Sequence, residues 1–280
     1  MRFFTWEEIR QGQVPTMPSF GQVVELCRQE ISALPGSVGA ILCGSCLTDS
    51  AERWSDIDLV VGFKKENSGE HRETTRRLQA LTRRAADIHV PLAIVPVDLE
   101  MARYGTHAIS IGFYKHLCWA AEHGGLMGRN PLPDISVQDT RESRRHEAWL
   151  YVIRSLDQLM KSEVRITDDV AEANHWRSRI VDKPFHAVRR TCELRDSNLP
   201  PLTRKGLVDA YASFASAEES QRLQQLYSFL SGYRELLEEL SDLSGKDRWA
   251  HKNRYQRALR EVDELANVAI QILHDLYRYI

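Results

Sequence analysis

The sequence predicts an α+β protein with strands and helices in its N-terminal half and an all-α helical bundle in its C-terminal half. Three observations predict it. Val38 to Cys43 and Asp56 to Phe63 are apolar runs of strand length, and Val90 to Val97 is a third. Charged, helix-patterned stretches separate and flank these runs. From Ser136 onward, apolar residues recur at threes and fours over long segments. The expected domains are residues 1–135 and residues 136–280.

Taken in order, Phe20 to Leu34 places Val23, Val24, Leu26, Cys27 and Ile31 at helical spacing and stops at Pro35-Gly36. Val38 to Cys43 is the first strand, Ser45 to about Ala51 a short helix or turn, and Asp56 to Phe63 the second strand. Lys64 to Gly69 reads as a polar loop. His71 to Ala86 reads as a helix with Leu78 and Leu81 inward and Arg76, Arg77, Arg83 and Arg84 on a solvated face. Pro91 and Pro96 mark the third strand as an edge or as bulged. Thr106 to His123 reads as a helix, and Gly124 to Pro131 as a glycine-rich turn closing the first domain. In the second half, turns are expected near Ser162 to Thr167, Ser197 to Pro201 and Asp242 to Lys246.

The chain has 280 residues, 42% of them hydrophobic and 27% charged, which is enough for one large or two modest cores. A net charge of −2 does not point to a nucleic-acid or membrane partner. No apolar run reaches the roughly 20 residues that span a bilayer, and the segment Met1 to Glu8 lacks an apolar signal core. A cytoplasmic location with no membrane association is the resulting expectation. Five irregularly spaced cysteines argue against a disulfide framework. Cys43 and Cys46 do match a Cys-x-x-Cys redox pattern, but they end one strand and precede an acidic one. The better reading makes Cys43 a buried strand residue and packs Cys46 under the short helix. His107, His116 and His123 lack the i, i+4 spacing of a metal pair and read as core or surface histidines.

Chemistry concentrates in Cys43-Gly44-Ser45 and Ser55-Asp56-Ile57-Asp58. Alternate residues of a strand share a face, so Asp56 and Asp58 project to one side while Ile57, Leu59 and Val61 turn to the other. Two adjacent carboxylates repel each other unless a cation lies between them, and hard oxygen ligands beside a phosphate suit Mg²⁺. Gly44 lets the backbone approach a phosphate, and the Ser45 hydroxyl and amide, at the opening of a short helix, can donate to its oxygens.

Gly-Ser followed about ten residues later by a strand-borne Asp-x-Asp resembles the nucleotidyltransferase superfamily, which includes DNA polymerase β and the aminoglycoside and minimal nucleotidyltransferases. The likeness is close over Val38 to Phe63 and looser through the third strand and the Gly-Leu-Met-Gly-Arg-Asn-Pro turn. It implies a small mixed β-sheet with flanking helices. It also implies Gly44 and Ser45 on the β- and γ-phosphates of a nucleoside triphosphate, with ATP the expected donor, and Asp56 and Asp58 as ligands of one or two Mg²⁺ ions. The implied reaction is transfer of a nucleoside monophosphate to a hydroxyl, with release of pyrophosphate.

Members of that superfamily usually carry a third carboxylate near the start of the third strand, as ligand or general base. Here Asp87 to Asp98 has no acid in mid-strand. Asp87 and His89 are the candidates for the base, with Asp98 a further one that could equally cap the following helix. A site with two carboxylates only, or one that binds nucleotide without turnover, also remains open. Lys183, Arg189 and Arg190 form the most basic cluster of the helical half, beside Pro184. The resemblance implies that such a cationic helix can close over the triphosphate, which makes Lys183 and Arg189 candidate nucleotide contacts. The expected activity is therefore a Mg²⁺-dependent nucleotidyltransferase acting on a small molecule, an RNA or a protein side chain. The alternative is a catalytically weak relative that binds nucleotide or a partner, like the antitoxin of a toxin–antitoxin or defence pair. Association with a partner protein or a second copy is compatible with either.

Overall fold

The computed structural model describes residues 1–34, 39–47, 53–63, 68–105, 109–164, 169–243 and 245–280. The expected helix stop at Pro35-Gly36, the strand start at Val38, the helix end at Ala51, the loop from Lys64 and the segment Thr106-His107 lie outside them, as do residues 165–167 of the turn expected from Ser162 to Thr167. The fold is α+β and divides into a sheet unit, Pro15–Asp139, and a helical unit made of Met1–Val14 and Thr140–Ile280.

In chain order the first helix, α1 (Trp6–Arg10), belongs to the helical unit, and the sheet unit opens with α2 (Met17–Ser32). Thr16 and Ser19 form a capping box at the start of α2, and a proline sits in its first turn, where its missing N–H costs nothing. Phe20, Val23, Cys27 and Ile31 are its buried stripe. The strands β1 (Gly39–Cys43) and β2 (Ile57–Phe63) follow, then α3 (Ser68–Asp87) and β3 (Leu92–Asp98). Beyond them come α4 (Leu99–Ala102), α5 (Ile111–Ala120) and β4 (Leu126–Gly128).

The sheet has the order β3-β2-β1-β4, with β1 antiparallel to β2 and β4, and β2 parallel to β3. Both central strands are almost continuously apolar because both of their faces are covered. β3 is an edge strand, the position where Pro96 costs no interior ladder bond. On one face, Ala40, Leu42, Ile57, Leu59 and Val61 meet α2 together with Leu78, Leu81 and Ala85 of α3. On the other, Ile41, Cys43, Val60 and Val97 meet Leu99, Leu117 and Ala120. Each such buried aliphatic side chain stabilises the fold by about 1.5–3 kcal/mol.

Three local expectations are refined. The glycine-rich stretch read as a turn contains β4, which pairs Ala40 with Met127 and Gly39 with Gly128. A Cβ at Gly39 would fall 1.8 Å from the Arg129 carbonyl oxygen, so this close edge pairing requires glycine. The helix expected over Thr106 to His123 is described from α5, capped by Ser110, and runs on into a π turn, Ala121–Gly125, where Gly124 at φ 87° turns the chain toward β4. Asp98 caps α4, its carboxylate accepting from the Glu100 and Met101 amides. The arginines of α3 do lie on its solvated side, where Glu73 pairs with Arg76 and Arg77, and Glu30 with Arg84.

The helical unit contains α6 (Arg141–Val164), α7 (Val170–Arg195), α8 (Arg204–Ala212), α9 (Ala217–Asp242), α10 (Gly245–Ala250), α11 (Lys252–Glu264) and α12 (Ala266–Leu276). Pro184 lies inside α7, which runs from Val170 to Arg195 around it. The buried Arg190 ties α7 to Glu147 of α6. Residues 1–14 are part of this core: the Phe3 ring packs tilted against Tyr233 at 4.9 Å, and the Tyr255 hydroxyl donates to the Phe4 carbonyl at 2.7 Å.

Candidate active site

At one end of the sheet, β1 runs into Gly44, whose φ of 88° lies in the left-handed region. Ser45 then opens a single 3₁₀ turn, Ser45–Leu47, closed by a Leu47 amide bond to the Gly44 carbonyl at 3.3 Å. The antiparallel register sets Cys43 opposite Asp58, which brings the Gly-Ser turn against the acids of β2. A Cβ on Gly44 would lie 3.2 Å from Asp58 Oδ2. Asp56 sits one residue ahead of β2, and both acids are half-buried.

Burial first, and the Asp56 charge second, push the Asp58 carboxyl up to about 7. The same surroundings silence the nearby thiols. Burial, with Asp58 and Asp56, raises Cys43 far above the thiol range, and burial with Asp56 raises Cys46 to about 11. Neither is a thiolate at neutral pH, and both are free, as the structural reading of the Cys-x-x-Cys pattern expected.

A nucleotidyltransferase domain model matches residues 24–104. Over these residues the sheet unit is similar to a nucleotidyltransferase domain. The match covers under a third of the chain and takes in β1, the Gly-Ser turn, both aspartates of β2, and β3. It supports nucleotidyltransferase-type chemistry for this unit and leaves the helical unit unassigned. The chain matches no curated protein and no solved structure.

Within the matched segment, Gly44, Ser45, Asp56 and Asp58 stand together. Asp87 does not join them: it is the exposed last residue of α3 and lines a groove with Gly21, Glu25 and Arg84, on the sheet face opposite Asp58. His89 is exposed at φ 62° in the turn between α3 and β3. That turn reaches the same end of the sheet as Asp56, since the Ile57 amide bonds the Pro91 carbonyl at 2.9 Å. Parallel pairing places Ala93 directly beside Asp58, so an alanine occupies the neighbouring-strand position where a third carboxylate could face the pair. Lys183 and Arg189 stand on α7 of the helical unit, where Arg189 donates to the Leu202 carbonyl at 2.8 Å and both side chains are half-buried.

Among the described residues, no group of three or more His, Cys, Asp or Glu side chains forms a ready-made metal cage. The donors still suit Mg²⁺, which commonly takes one or two carboxylates and completes its shell with phosphate oxygens and water. The raised Asp58 carboxyl fits as well, because a divalent cation would favour the ionised form against the burial that chiefly raises it and the Asp56 charge that adds to it. Sequence spacing alone missed His116. It lies on α5 over the Asp58 face of the sheet, and its Nε2 accepts from the Gly44 amide at 3.2 Å.

Proposed function

We propose that this protein is a Mg²⁺-dependent nucleotidyltransferase that moves a nucleoside monophosphate from a nucleoside triphosphate to a hydroxyl acceptor. The observation that carries this is the contact between the Gly44 turn and the Asp58 carboxylate. Phosphate-binding backbone and metal-binding oxygen stand side by side, as a metal-bound triphosphate requires.

In this reading Asp56 and Asp58 hold the ion and Ser45 donates to the triphosphate. When bound, Mg²⁺ would neutralise charge on the departing pyrophosphate and acidify the acceptor hydroxyl. Gly44 leaves room for a phosphate oxygen where any side chain would intrude on Asp58. Cys43 and Val60 stay buried beneath the pair and exclude water from their sheet side. His89 remains the candidate to receive the acceptor proton, since its turn lies at the Asp56 end of the sheet. Asp87, on the opposite face, supports no such role. Lys183 and Arg189 are proposed as triphosphate contacts from the helical unit, and ATP as the donor.

The test is calorimetric titration of the four ribonucleoside triphosphates, with Mg²⁺, into wild type and Asp56→Ala/Asp58→Ala. Binding of one nucleotide by wild type, lost in the variant, is expected. Equal binding by both proteins removes the aspartate pair from the site. A second reading, a nucleotide-binding module without turnover, is favoured by Ala93 standing where a third carboxylate could face Asp58. It predicts nucleotide binding without pyrophosphate release, whichever small-molecule, RNA or protein acceptor is supplied.

A further inference from the structure

Resting on the nucleotide-site reading above, we infer that His116 is a positioning residue that holds the Gly44-Ser45 turn in its phosphate-receiving shape. The turn is short and carries a glycine in the left-handed region, and a glycine keeps its wide backbone freedom unless something fixes it. Its carbonyl end is fixed locally, by the Leu47 amide at 3.3 Å. Its amide end is fixed from 72 residues away, by His116 Nε2 at 3.2 Å.

The imidazole is itself well placed to act as a strut. It projects from the middle of α5, whose start is capped by Ser110 accepting from the Phe113 amide and whose Leu117 and Ala120 are buried against Ile41, Cys43 and Val60. To accept from an amide, Nε2 must carry its lone pair, which puts the ring proton on Nδ1 and makes the ring neutral. Trp119, one turn further along, stacks on His123 at 4.2 Å, and the His123 ring nitrogen lies 2.7 Å from the Trp119 carbonyl, firming the helix end. With Gly44 pinned, the following residue, Ser45, presents its amide and hydroxyl in one arrangement beside Asp58. His116 lies beyond residues 24–104, so this strut is no part of the matched family segment.

Two substitutions separate an acceptor from mere bulk. His116→Leu fills the space and cannot accept, and His116→Gln offers a side-chain oxygen at nearly the reach of Nε2. Thermal melting first establishes that both variants fold. Exchange of the Gly44 amide, followed by NMR without nucleotide, then reads the contact itself: slow exchange is expected in wild type and His116→Gln, and fast exchange in His116→Leu. Calorimetry with Mg²⁺ and the nucleotide that wild type binds should show about tenfold weaker binding for His116→Leu, the scale of one buried amide left without its acceptor, and near wild-type binding for His116→Gln. Wild-type affinity in His116→Leu, unchanged Gly44 exchange in it, or failure of His116→Gln to restore binding overturns the inference while leaving the nucleotide site standing. Absence of any nucleotide binding by wild type overturns the site itself, and the inference with it.

Discussion

Replacing Asp58 by asparagine should make the metal-free protein more stable while removing the nucleotidyl transfer proposed for it. Folding lifts the Asp58 carboxyl from an ordinary 3.8 to about 7, chiefly through burial and then through Asp56. At about 1.4 kcal/mol per unit, ionised Asp58 costs the folded state up to about 4 kcal/mol at pH 8. The side chain is half-buried, so water screens part of this, and a gain of about 2 kcal/mol is expected for Asp58→Asn. For a unit of this size that is a rise in Tm of roughly 6–8 °C. The pH dependence fixes the cause. Because the folded carboxyl holds its proton more tightly than the unfolded one, its contribution to stability is complete below about pH 4 and is lost as pH rises through about 7. The difference between variant and wild type should therefore be small at pH 4, open between pH 4 and 7, and level off above pH 8. Thermal melts over this range in a chelating buffer measure it, and repeating them with Mg²⁺ and nucleotide should raise the Tm of wild type alone. An equal gain at pH 4 and pH 8, or no gain at either, would refute the assignment of strain to the ionised pair.

Gly44→Ala places a side chain in a left-handed turn with its Cβ 3.2 Å from Asp58 Oδ2, so it should cost about 1–2 kcal/mol in melting experiments and weaken nucleotide binding. Gly39→Ala drives a Cβ to 1.8 Å from the Arg129 carbonyl and should break the pairing of β1 with β4; loss of amide protection at Ala40 and Met127 would report it. Ala93→Asp adds a third acid beside Asp58, so it should lower the metal-free Tm at pH 8 and enlarge the Mg²⁺-induced rise relative to wild type. Alkylating reagents at pH 7.5 should leave Cys43 and Cys46 unmodified in the folded protein and label both in urea, as mass spectrometry would show.

What the sequence disclosed follows from how local each signal is. Ile57, Leu59 and Val61 alternate with Asp56, Asp58 and Val60, so one glance at period two reveals β2 and the face its acids share. Pro91 and Pro96 announce a strand that is an edge or bulged, and β3 is an edge; Asp98, open between base and cap, caps α4. β4 stayed hidden because three residues among glycines show no alternation, and it becomes a strand only through the close approach of Gly39 to Arg129. His116 stayed hidden because its partner is an amide 72 residues away, and spacing among histidines carries no trace of it. Asp87 drew notice through its nearness in sequence to β3, but the helix that delivers it runs along the other side of the sheet.

The helical unit draws on both flanks of the sheet unit, with Phe3, Phe4 and Ile9 buried in a core otherwise supplied by residues after 139. During synthesis this imposes an order. Residues 1–14 leave the ribosome before the sheet unit, yet Tyr233 and Tyr255, which receive them, are made more than two hundred residues later, about ten seconds or more at ordinary elongation rates. Over that interval Phe3 and Phe4 lack the tyrosines that bury them in the finished core. Helices α9 and α11 thus close the core around a segment made long before them, and a chaperone that shields Phe3 and Phe4 would act in the window between the two.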